Sequence, residues 1–227
     1  MNNEYSFSEP QLQAVYQAIF ERRDMRHFNG KPVEEALMQR LFAAAHAAPS
    51  VGLMQPWRFI RIKNPEIRKQ IYDLVEQETQ LTALQLAERK AEFLKLKVQG
   101  INDCSELVVV SLMPQRQQHI FGRRTLPEMD LASAACAIQN MWLAARAEGI
   151  GLGWVSLFEP LHLQDLLAMP ASAKPIAILC IGHVDAFYEK SMLIEEHWAQ
   201  RGDIQDYVMT DVWDKDKQEQ AQLQWQV

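Results

Sequence analysis

The chain has 227 residues, of which 48% are hydrophobic and 23% are charged, and its formal net charge is −6. This length and composition are typical of one globular domain with a sizeable core. The acidic balance excludes an overall basic field for nucleic acid, so any recognition of an anion has to be local. No apolar run approaches the roughly 18 residues of a membrane span, and the N-terminus lacks a signal-peptide pattern, so we expect neither nucleic acid nor membrane as a partner.

The three cysteines, Cys104, Cys136 and Cys180, are widely spaced and lie among apolar residues. An odd number of such cysteines favours reduced thiols and a cytoplasmic location. No cysteine or histidine pair has the spacing of metal ligands, so we expect no metal site.

Hydrophobic periodicity predicts an α+β protein with several helices packed on a small sheet. The predicted elements, in chain order, are helices at 9–22 and 34–48, a strand at 57–63, a long helical stretch over 66–99 with room for one break, a strand at 107–113, a helix at 128–148, a strand at 153–158, a helix at 160–168 and a strand at 176–181. The helix at 128–148 is rich in small side chains, so we expect it to be central. Residues 1–227 are interpreted as a single domain, in which the polar stretch 203–227 either wraps a partner subunit or lies on the surface.

The first candidate site is ERRDMR at 21–26, in which Arg22, Arg23 and Arg26 surround Asp24. Arginine forks match phosphate oxygens, so the cluster is a candidate phosphate clamp. The alternative is a solvated helix end, where cations suit the carbonyl dipole and Asp24 pairs with them.

The second candidate is APSVGLMQPWRF at 48–59, between a predicted helix and a strand. Ser50 can donate to an anion, Gly52 allows a close backbone approach, and the Gln55 amide can donate and accept. The alternative is an ordinary loop above a buried Trp57.

The third candidate is GIGLGWVS at 149–156. Its glycines follow a helix and precede a strand, whereas a dinucleotide fingerprint needs the order strand, glycines, helix, so we reject that interpretation. Gly149 is most simply a helix C-cap. The backbone that follows can still pass close to a flat ligand, with Ser156 facing the same site.

The fourth candidate is FGRRTLPEMD at 121–130, which places Arg123 and Arg124 at the end of a polar loop over 114–127. A loop of this length and character is suited to be a lid, and a plain surface connection is the alternative.

Together these segments resemble the FMN-dependent nitroreductase superfamily and, more narrowly, its 5,6-dimethylbenzimidazole synthase branch. The matching segments are RRDMR, AAHAAPSVGLMQPWRFI, GRRTLPEMDLASAACAIQNMWLAARAEG, GLGWVSLFEP, ILCIGHVD and EEHWAQR. The resemblance extends over most of residues 10–201. It implies a nitroreductase-like fold with a small mixed, mainly antiparallel sheet surrounded by helices, and a homodimer with the long central helix at its interface.

The resemblance also implies FMN at the subunit interface and a catalytic pair, Asp24 and Ser156. The FMN-binding positions that it implies are Arg22, Arg23, Met25, Arg26, Ser50, Gln55, Gly153, Trp154 and Arg201. The loop with Arg123 and Arg124 is expected to cover the site.

In that branch reduced FMN is the substrate and is consumed with O2. The products implied are 5,6-dimethylbenzimidazole, the lower ligand of cobalamin, and erythrose 4-phosphate. A carboxylate suits the proton transfers of such a fragmentation, and we expect the arginines to keep Asp24 ionised. Whether the chain reduces its own flavin with NAD(P)H or depends on a separate flavin reductase is left open. The alternatives are an NAD(P)H-dependent, FMN-containing nitroreductase or flavin reductase, and a non-catalytic FMN-binding protein.

Overall fold

The computed structural model describes residues 4–223, which divide into two compact units, 4–187 and 188–223. The helices described in the first unit are α1 (Glu9–Glu21), α2 (Glu35–His46), α3 (Pro65–Gln85), α4 (Lys90–Phe93), α5 (Met129–Ala147) and α6 (Pro160–Leu166). The strands described there are β1 (Trp57–Arg61), β2 (Glu106–Leu112), β3 (Gly151–Val155) and β4 (Lys174–Gly182).

The four strands form one antiparallel sheet in the order β1-β2-β4-β3. Leu107 of β2 and Gly153 of β3 both lie opposite Cys180 of β4, so β4 is paired on both sides. A single parallel bridge joins Asp24 to Leu152, on β3. The segment that contains Asp24 therefore runs beside the sheet edge formed by β3.

Side chains alternate between the two faces of the sheet, and each face is covered by its own helices. The face packed against α2 and α5 carries Val108, Val110, Leu112, Ala177, Leu179 and Ile181. The face packed against α3 and α6 carries Leu107, Val109, Ile178 and Cys180. This two-sided burial explains why β2 and β4 read as continuous apolar runs in the sequence.

Helix α5 lies on the first of these faces, as its small residues predicted. Its buried side chains include Ala134, Ala137 and Ala145, which leave room for α2 to approach. The helix ends in a Schellman motif, in which the Ile150 N–H donates to the Ala145 carbonyl at 2.8 Å and Gly149 has a φ of +72°. The predicted C-cap role of Gly149 is confirmed, and the motif directs the chain into β3.

Two predicted boundaries are wrong. The helical stretch predicted over 66–99 with room for one break is interrupted after Gln85, where a 3₁₀ turn at Ala87–Arg89 leads into α4, but it ends at Phe93 and not at 99. The strand predicted at 153–158 covers Gly151–Val155. Glycine disfavours strands on its own, but pairing with β4 begins at Gly151 and overrides that local preference.

Helix α1 buries none of its residues in the single chain. Its apolar positions, exposed by 37% to 69%, are Leu12, Val15, Tyr16, Ile19 and Phe20. The predicted amphipathic helix is present, and its apolar face is left uncovered.

The second unit, as far as it is described, contains α7 (Met192–Glu195), α8 (Ile204–Tyr207) and α9 (Lys215–Leu223). The extension predicted over 203–227 thus begins at α8, and its residues 224–227 lie outside the described part. Between residues 4 and 223, no helix is both long and apolar enough to cross a membrane.

Candidate active site

The segment 22–26 is fixed to the edge of β3 by two hydrogen bonds of different kinds. The Met25 N–H donates to the Leu152 carbonyl at 3.1 Å. Two residues along β3, the Trp154 N–H donates to Oδ1 of Asp24 at 2.9 Å. The carboxylate of Asp24 therefore takes the place of a main-chain acceptor in a ladder that would otherwise continue along the strand.

Gly153 makes this close approach possible. A Cβ at this position would lie 2.1 Å from the Met25 carbonyl oxygen and 3.0 Å from Nη1 of Arg26. The sequence suggested that the backbone here passes close to a flat ligand. In the structure the groups packed against Gly153 are the Met25 carbonyl and the Arg26 guanidinium. The contact of Gly153 with FMN stays a prediction.

Asp24 and Arg26 form an ion pair against β3. Nη2 of Arg26 contacts Oδ2 of Asp24 and also donates to the Trp154 carbonyl at 2.9 Å. Both oxygens of the Asp24 carboxylate therefore have a donor, and both main-chain polar groups of Trp154 are used. The Arg26 side chain is only 10% exposed, whereas that of Asp24 is 42% exposed, so the carboxylate is the part of the pair that solvent or a ligand can reach.

The pKa of Asp24 depends on burial as well as on the arginines. The atoms packed around its carboxylate exclude water, and this desolvation raises the pKa of Asp24 above its ordinary value. Arg26, the Trp154 N–H and Arg22 each lower the pKa, but together they do not cancel the desolvation. The arginines lower this pKa as predicted, although its net direction is upward, and the ionised state of Asp24 at neutral pH stays a prediction.

Arg22 lies over the indole of Trp142, on α5. Its guanidinium carbon is 4.5 Å from the ring centroid, a cation–π distance. The indole N–H donates to the Arg23 carbonyl at 3.1 Å, and the ring lies 6.4 Å from that of Trp154. Sequence reasoning missed Trp142, and the available signal was one large indole in a helix rich in small residues.

Arg23 caps the C-terminal end of α1. Its Nη1 donates to the carbonyls of Phe20 and Arg22, at 2.8 and 2.9 Å. A guanidinium there satisfies carbonyls that the helix leaves without an intrahelical partner. The structure thus divides the cluster: Arg23 caps a helix, Arg26 holds Asp24, and Arg22 rests on an aromatic ring.

The loop after α2 brings Ser50 and Gln55 together. Oγ of Ser50 accepts a hydrogen bond from the Gln55 N–H at 3.0 Å, and Gln55 has a φ of +46°. The Val51 N–H donates to Oγ of Ser133 on α5 at 3.0 Å, so the loop is fixed to the central helix. Contacts of Ser50 and Gln55 with FMN stay predictions.

A cleft of about 520 Å³ opens beside this loop. Its lining residues are Phe42, His46, Met54, Gln55, Trp57, Arg58, Phe59 and Arg61. Arg61 is engaged by Glu35 and Glu106, and Nη1 of Arg58 donates to the Gln55 and Trp57 carbonyls. The candidate catalytic pair does not line this cleft.

The two arginines of the predicted lid differ in their surroundings. Arg123 is buried and donates to the carbonyls of Pro127 and His119 and to Oδ2 of Asp130, the last at 2.8 Å. Arg124 is exposed. Arg123 therefore holds the loop to the start of α5, and the predicted covering role of the loop stays a prediction.

The remaining predicted positions are Ser156 and Arg201. Ser156 lies one residue beyond the end of β3 and is exposed, and its carbonyl accepts from the Phe158 N–H at 3.2 Å. Arg201 is exposed in the second unit. Within residues 4–223, no group of three or more His, Cys, Asp or Glu side chains is placed to hold a metal ion.

The polar and aromatic side chains beside β3 match the chemical groups of a flavin mononucleotide. Arg22 offers a cation for a phosphate, and the half-exposed Asp24 offers acceptors for hydroxyl groups. Trp142 and Trp154 supply flat aromatic surfaces beside them.

The sequence model of the nitroreductase family matches residues 19–183, and the chain belongs to that family. The chain is 39% identical over 177 residues to a 5,6-dimethylbenzimidazole synthase of Rhodospirillum rubrum, covering 77% of this chain and 84% of that relative. It is 34% identical over 197 residues to the protein of that name in Rhodobacter capsulatus, covering 86% of this chain and 95% of the relative. The structure of nitroreductase A from Vibrio parahaemolyticus matches with a TM-score of 0.68 at 19% identity, over 93% of this chain and 84% of the other.

These comparisons confirm the predicted resemblance and the predicted fold class. The nitroreductase-like arrangement of an antiparallel sheet surrounded by helices is shared with solved structures. Membership of this family implies a flavin.

Proposed function

We propose that the chain is a 5,6-dimethylbenzimidazole synthase, which fragments reduced FMN with O2 and releases erythrose 4-phosphate. The observation that carries the proposal is Asp24, a half-exposed carboxylate with both oxygens oriented by Arg26 and Trp154. Similarity to the synthases of Rhodospirillum rubrum and Rhodobacter capsulatus supports the choice of substrate.

Asp24 acts as the general base. Breaking a carbon–carbon bond of the ribityl chain in retro-aldol fashion requires removal of a hydroxyl proton, and the exposed side of the carboxylate is available to accept it. Desolvation raises the pKa of Asp24, which makes it a stronger base than an aspartate in water. A positioned base of this kind typically contributes about 10²- to 10⁴-fold to a rate.

The other residues bind and orient the substrate. Arg22, supported by the Trp142 ring, presents a cation to the phosphate. Ser156, exposed just beyond β3, orients the reacting region by hydrogen bonding. Ser50 and Gln55 add contacts from the loop after α2, as the family resemblance implies.

The chain works as a homodimer with the flavin at the subunit interface. The uncovered apolar face of α1 supports this assembly, because burying its five large side chains against a second copy removes them from water. The described part of the extension, 203–223, wraps the partner subunit. Free cysteines at 104, 136 and 180 fit a cytoplasmic setting, where thiols stay reduced.

Reduced flavin comes either from NAD(P)H oxidation by the chain itself or from a separate flavin reductase. The test supplies FMN that was reduced chemically, then adds O2 and follows ring products by chromatography with mass detection. Formation of 5,6-dimethylbenzimidazole with loss of FMN is the expected result. Full recovery of oxidised FMN without that product overturns the proposal, and repeated NAD(P)H oxidation with a nitroaromatic acceptor then identifies a nitroreductase.

A further inference from the structure

We infer that Cys104 and Cys180 form a reactive dithiol, which hydrogen peroxide converts to an intrachain disulfide. The juxtaposition that carries the inference is a pair of buried thiols, one on β4 and the other on the turn that precedes β2. The inference is independent of the proposed function, and it adds a site of oxidative modification to the chain.

The turn before β2 brings Cys104 to β4. The Cys104 N–H donates to the Gly100 carbonyl at 3.0 Å, which closes the turn. Glu106, two positions later, is paired with Ile181, the neighbour of Cys180. Both cysteine side chains belong to the apolar cluster between the sheet and the helices α3 and α6. The strand pairing therefore holds the two cysteines in one buried region.

The two thiols interact directly, side chain to side chain. Sγ of Cys104 lies 3.6 Å from the Ile101 carbonyl oxygen and 3.9 Å from Nη1 of Arg68, on α3. Arg68 also donates to the Cys104 carbonyl at 2.6 Å, so the turn is held against α3. The pair thus has a fixed position, with a cation beside one of its two sulfurs.

The surroundings of the pair make Cys104 the attacking sulfur. The hydrogen bond with the Cys180 thiol lowers the pKa of Cys104, and Arg68 and the Ile181 N–H add to this effect against the opposing effect of burial. The same hydrogen bond, followed by burial, raises the pKa of Cys180. Because the thiolate is the nucleophile in thiol oxidation, Cys104 attacks the oxidant and Cys180 attacks second.

Peroxide reaches Cys104 by way of the turn. Cys104 is 3% exposed and Asn102, in the same turn, is exposed, whereas Cys180 is 0% exposed within the sheet. A local opening of the turn is enough to admit a small oxidant. Cys180 is paired with Gly153, so the bond forms on the strand next to the candidate site.

The reaction oxidises the two sulfurs and reduces the peroxide. The Cys104 thiolate attacks one oxygen of hydrogen peroxide, and the O–O bond breaks to give a sulfenic acid and hydroxide, which takes the proton of Cys180 and becomes water. The Cys180 thiolate then attacks the Cys104 sulfur, so that the S–S bond forms and the S–O bond breaks. The second hydroxide leaves and takes a proton from solvent.

The experiment treats the full chain with hydrogen peroxide, denatures it in an alkylating reagent and maps its peptides by mass spectrometry. Cys136→Ser is the principal variant, because Cys136 is exposed and its removal leaves the buried pair intact. A linked Cys104–Cys180 peptide and a loss of about 2 Da from the intact mass are the expected result. Alkylation of both cysteines at a peroxide concentration that oxidises Cys136 in the unaltered chain overturns the inference.

Unfolding in urea is the control for the choice of partner. The folded, unaltered chain should form the Cys104–Cys180 bond and at least about tenfold less of either bond to Cys136, because a disulfide needs its two sulfurs in contact. The unfolded chain should form all the possible pairings in comparable amounts. Comparable amounts in the folded chain contradict the inference.

Two further variants, made in the Cys136→Ser background, test the order of attack. Cys180→Ala removes the second thiol, so sulfenic acid should accumulate on Cys104 and be trapped by a 1,3-diketone reagent. Cys104→Ala should leave Cys180 at least about tenfold less reactive. Equal reactivity of the two lone thiols contradicts the assignment of Cys104 as the attacking sulfur. The principal test needs neither variant, so a folding defect in one of them does not affect it.

The unfolding midpoint in urea is the second readout. Oxidised Cys136→Ser should unfold at a higher urea concentration than its reduced form, because the bond joins two distant parts of the chain and restricts the unfolded state. A dithiol reductant should restore both thiols and the lower midpoint. A lower midpoint after oxidation, or thiols that the reductant does not restore, contradicts a disulfide that forms within the native fold.

Discussion

The Trp154 N–H donates to Oδ1 of Asp24 at 2.9 Å, although the two residues are 130 positions apart in the chain. The bond places a carboxylate in the hydrogen-bonding ladder of β3, where a main-chain carbonyl would be expected. A group held by a strand is oriented more narrowly than one carried by a loop. In the proposed function, this hydrogen bond orients Asp24 as the base inside a cluster of arginines.

Replacement of Gly153 by alanine tests how tightly the segment lies on β3. Its Cβ would be 2.1 Å from the Met25 carbonyl oxygen, so Gly153→Ala should cost about 3 kcal/mol or more of unfolding free energy in urea. The variant should also disturb the titration of the Asp24 carboxyl, followed by carbon-13 NMR without flavin.

Gly149→Ala is the control for that experiment. Its Cβ would meet nothing within 4 Å, but the φ of +72° should cost about 1 kcal/mol. The Asp24 titration should be unaffected. Equal stability losses in the two variants would mean that the contact between segment and strand is looser than described.

Two substitutions of Trp142 distinguish its ring contact with Arg22 from its hydrogen bond to the Arg23 carbonyl. Trp142→Phe keeps a ring beneath Arg22 but removes the bond to the Arg23 carbonyl, so it should cost about 1 kcal/mol of stability and retain FMN affinity. Trp142→Leu removes both and should also weaken FMN binding, measured by quenching of flavin fluorescence. Equal FMN affinities in Trp142→Phe and Trp142→Leu would contradict the assignment of Arg22 to the phosphate.

The two arginines of the 114–127 loop should respond differently to substitution. Arg123→Met leaves Asp130 with Arg116 as its remaining cationic partner, so we expect a loss of about 2 to 3 kcal/mol in thermal or urea unfolding. Arg124→Met should change stability by less than about 0.5 kcal/mol, because Arg124 is exposed. A stable Arg123→Met variant would show that the loop is held by other contacts.

The pH dependence of stability follows from the raised pKa of Asp24. Between its ordinary value of 3.8 and its value in the fold, the folded chain retains a proton that the unfolded chain releases. Stability should therefore fall as pH rises through this window, relative to Asp24→Asn, and level off above it. Urea unfolding at a series of pH values checks the sign. A relative gain in stability with rising pH would mean a depressed pKa.

Most elements of the fold followed from periodicity. The small side chains of α5 predicted its central position, and Gly149 predicted its end. The error at 153–158 arose because pairing with β4 begins at Gly151 and overrides the local preference of glycine.

The side-chain contacts within the candidate site were harder to predict from the sequence than the elements of the fold. ERRDMR indicated an anion clamp with an aspartate in its midst, but adjacent arginines carry no local signal that assigns one to a helix end and another to the carboxylate. The partner of Gly153 is Met25, from a distant part of the chain, so periodicity could not identify it. The net direction of the Asp24 pKa depended on burial, which the sequence shows only through folding.

The central claim is that the carboxylate of Asp24 performs the proton transfer that fragments the flavin. The direct test is a single turnover in which reduced FMN and O2 are mixed with the unaltered chain and with Asp24→Asn. The account predicts 5,6-dimethylbenzimidazole from the unaltered chain and a rate lower by about 10²-fold or more in Asp24→Asn, with FMN bound equally well. Product formation by Asp24→Asn at the unaltered rate would contradict it.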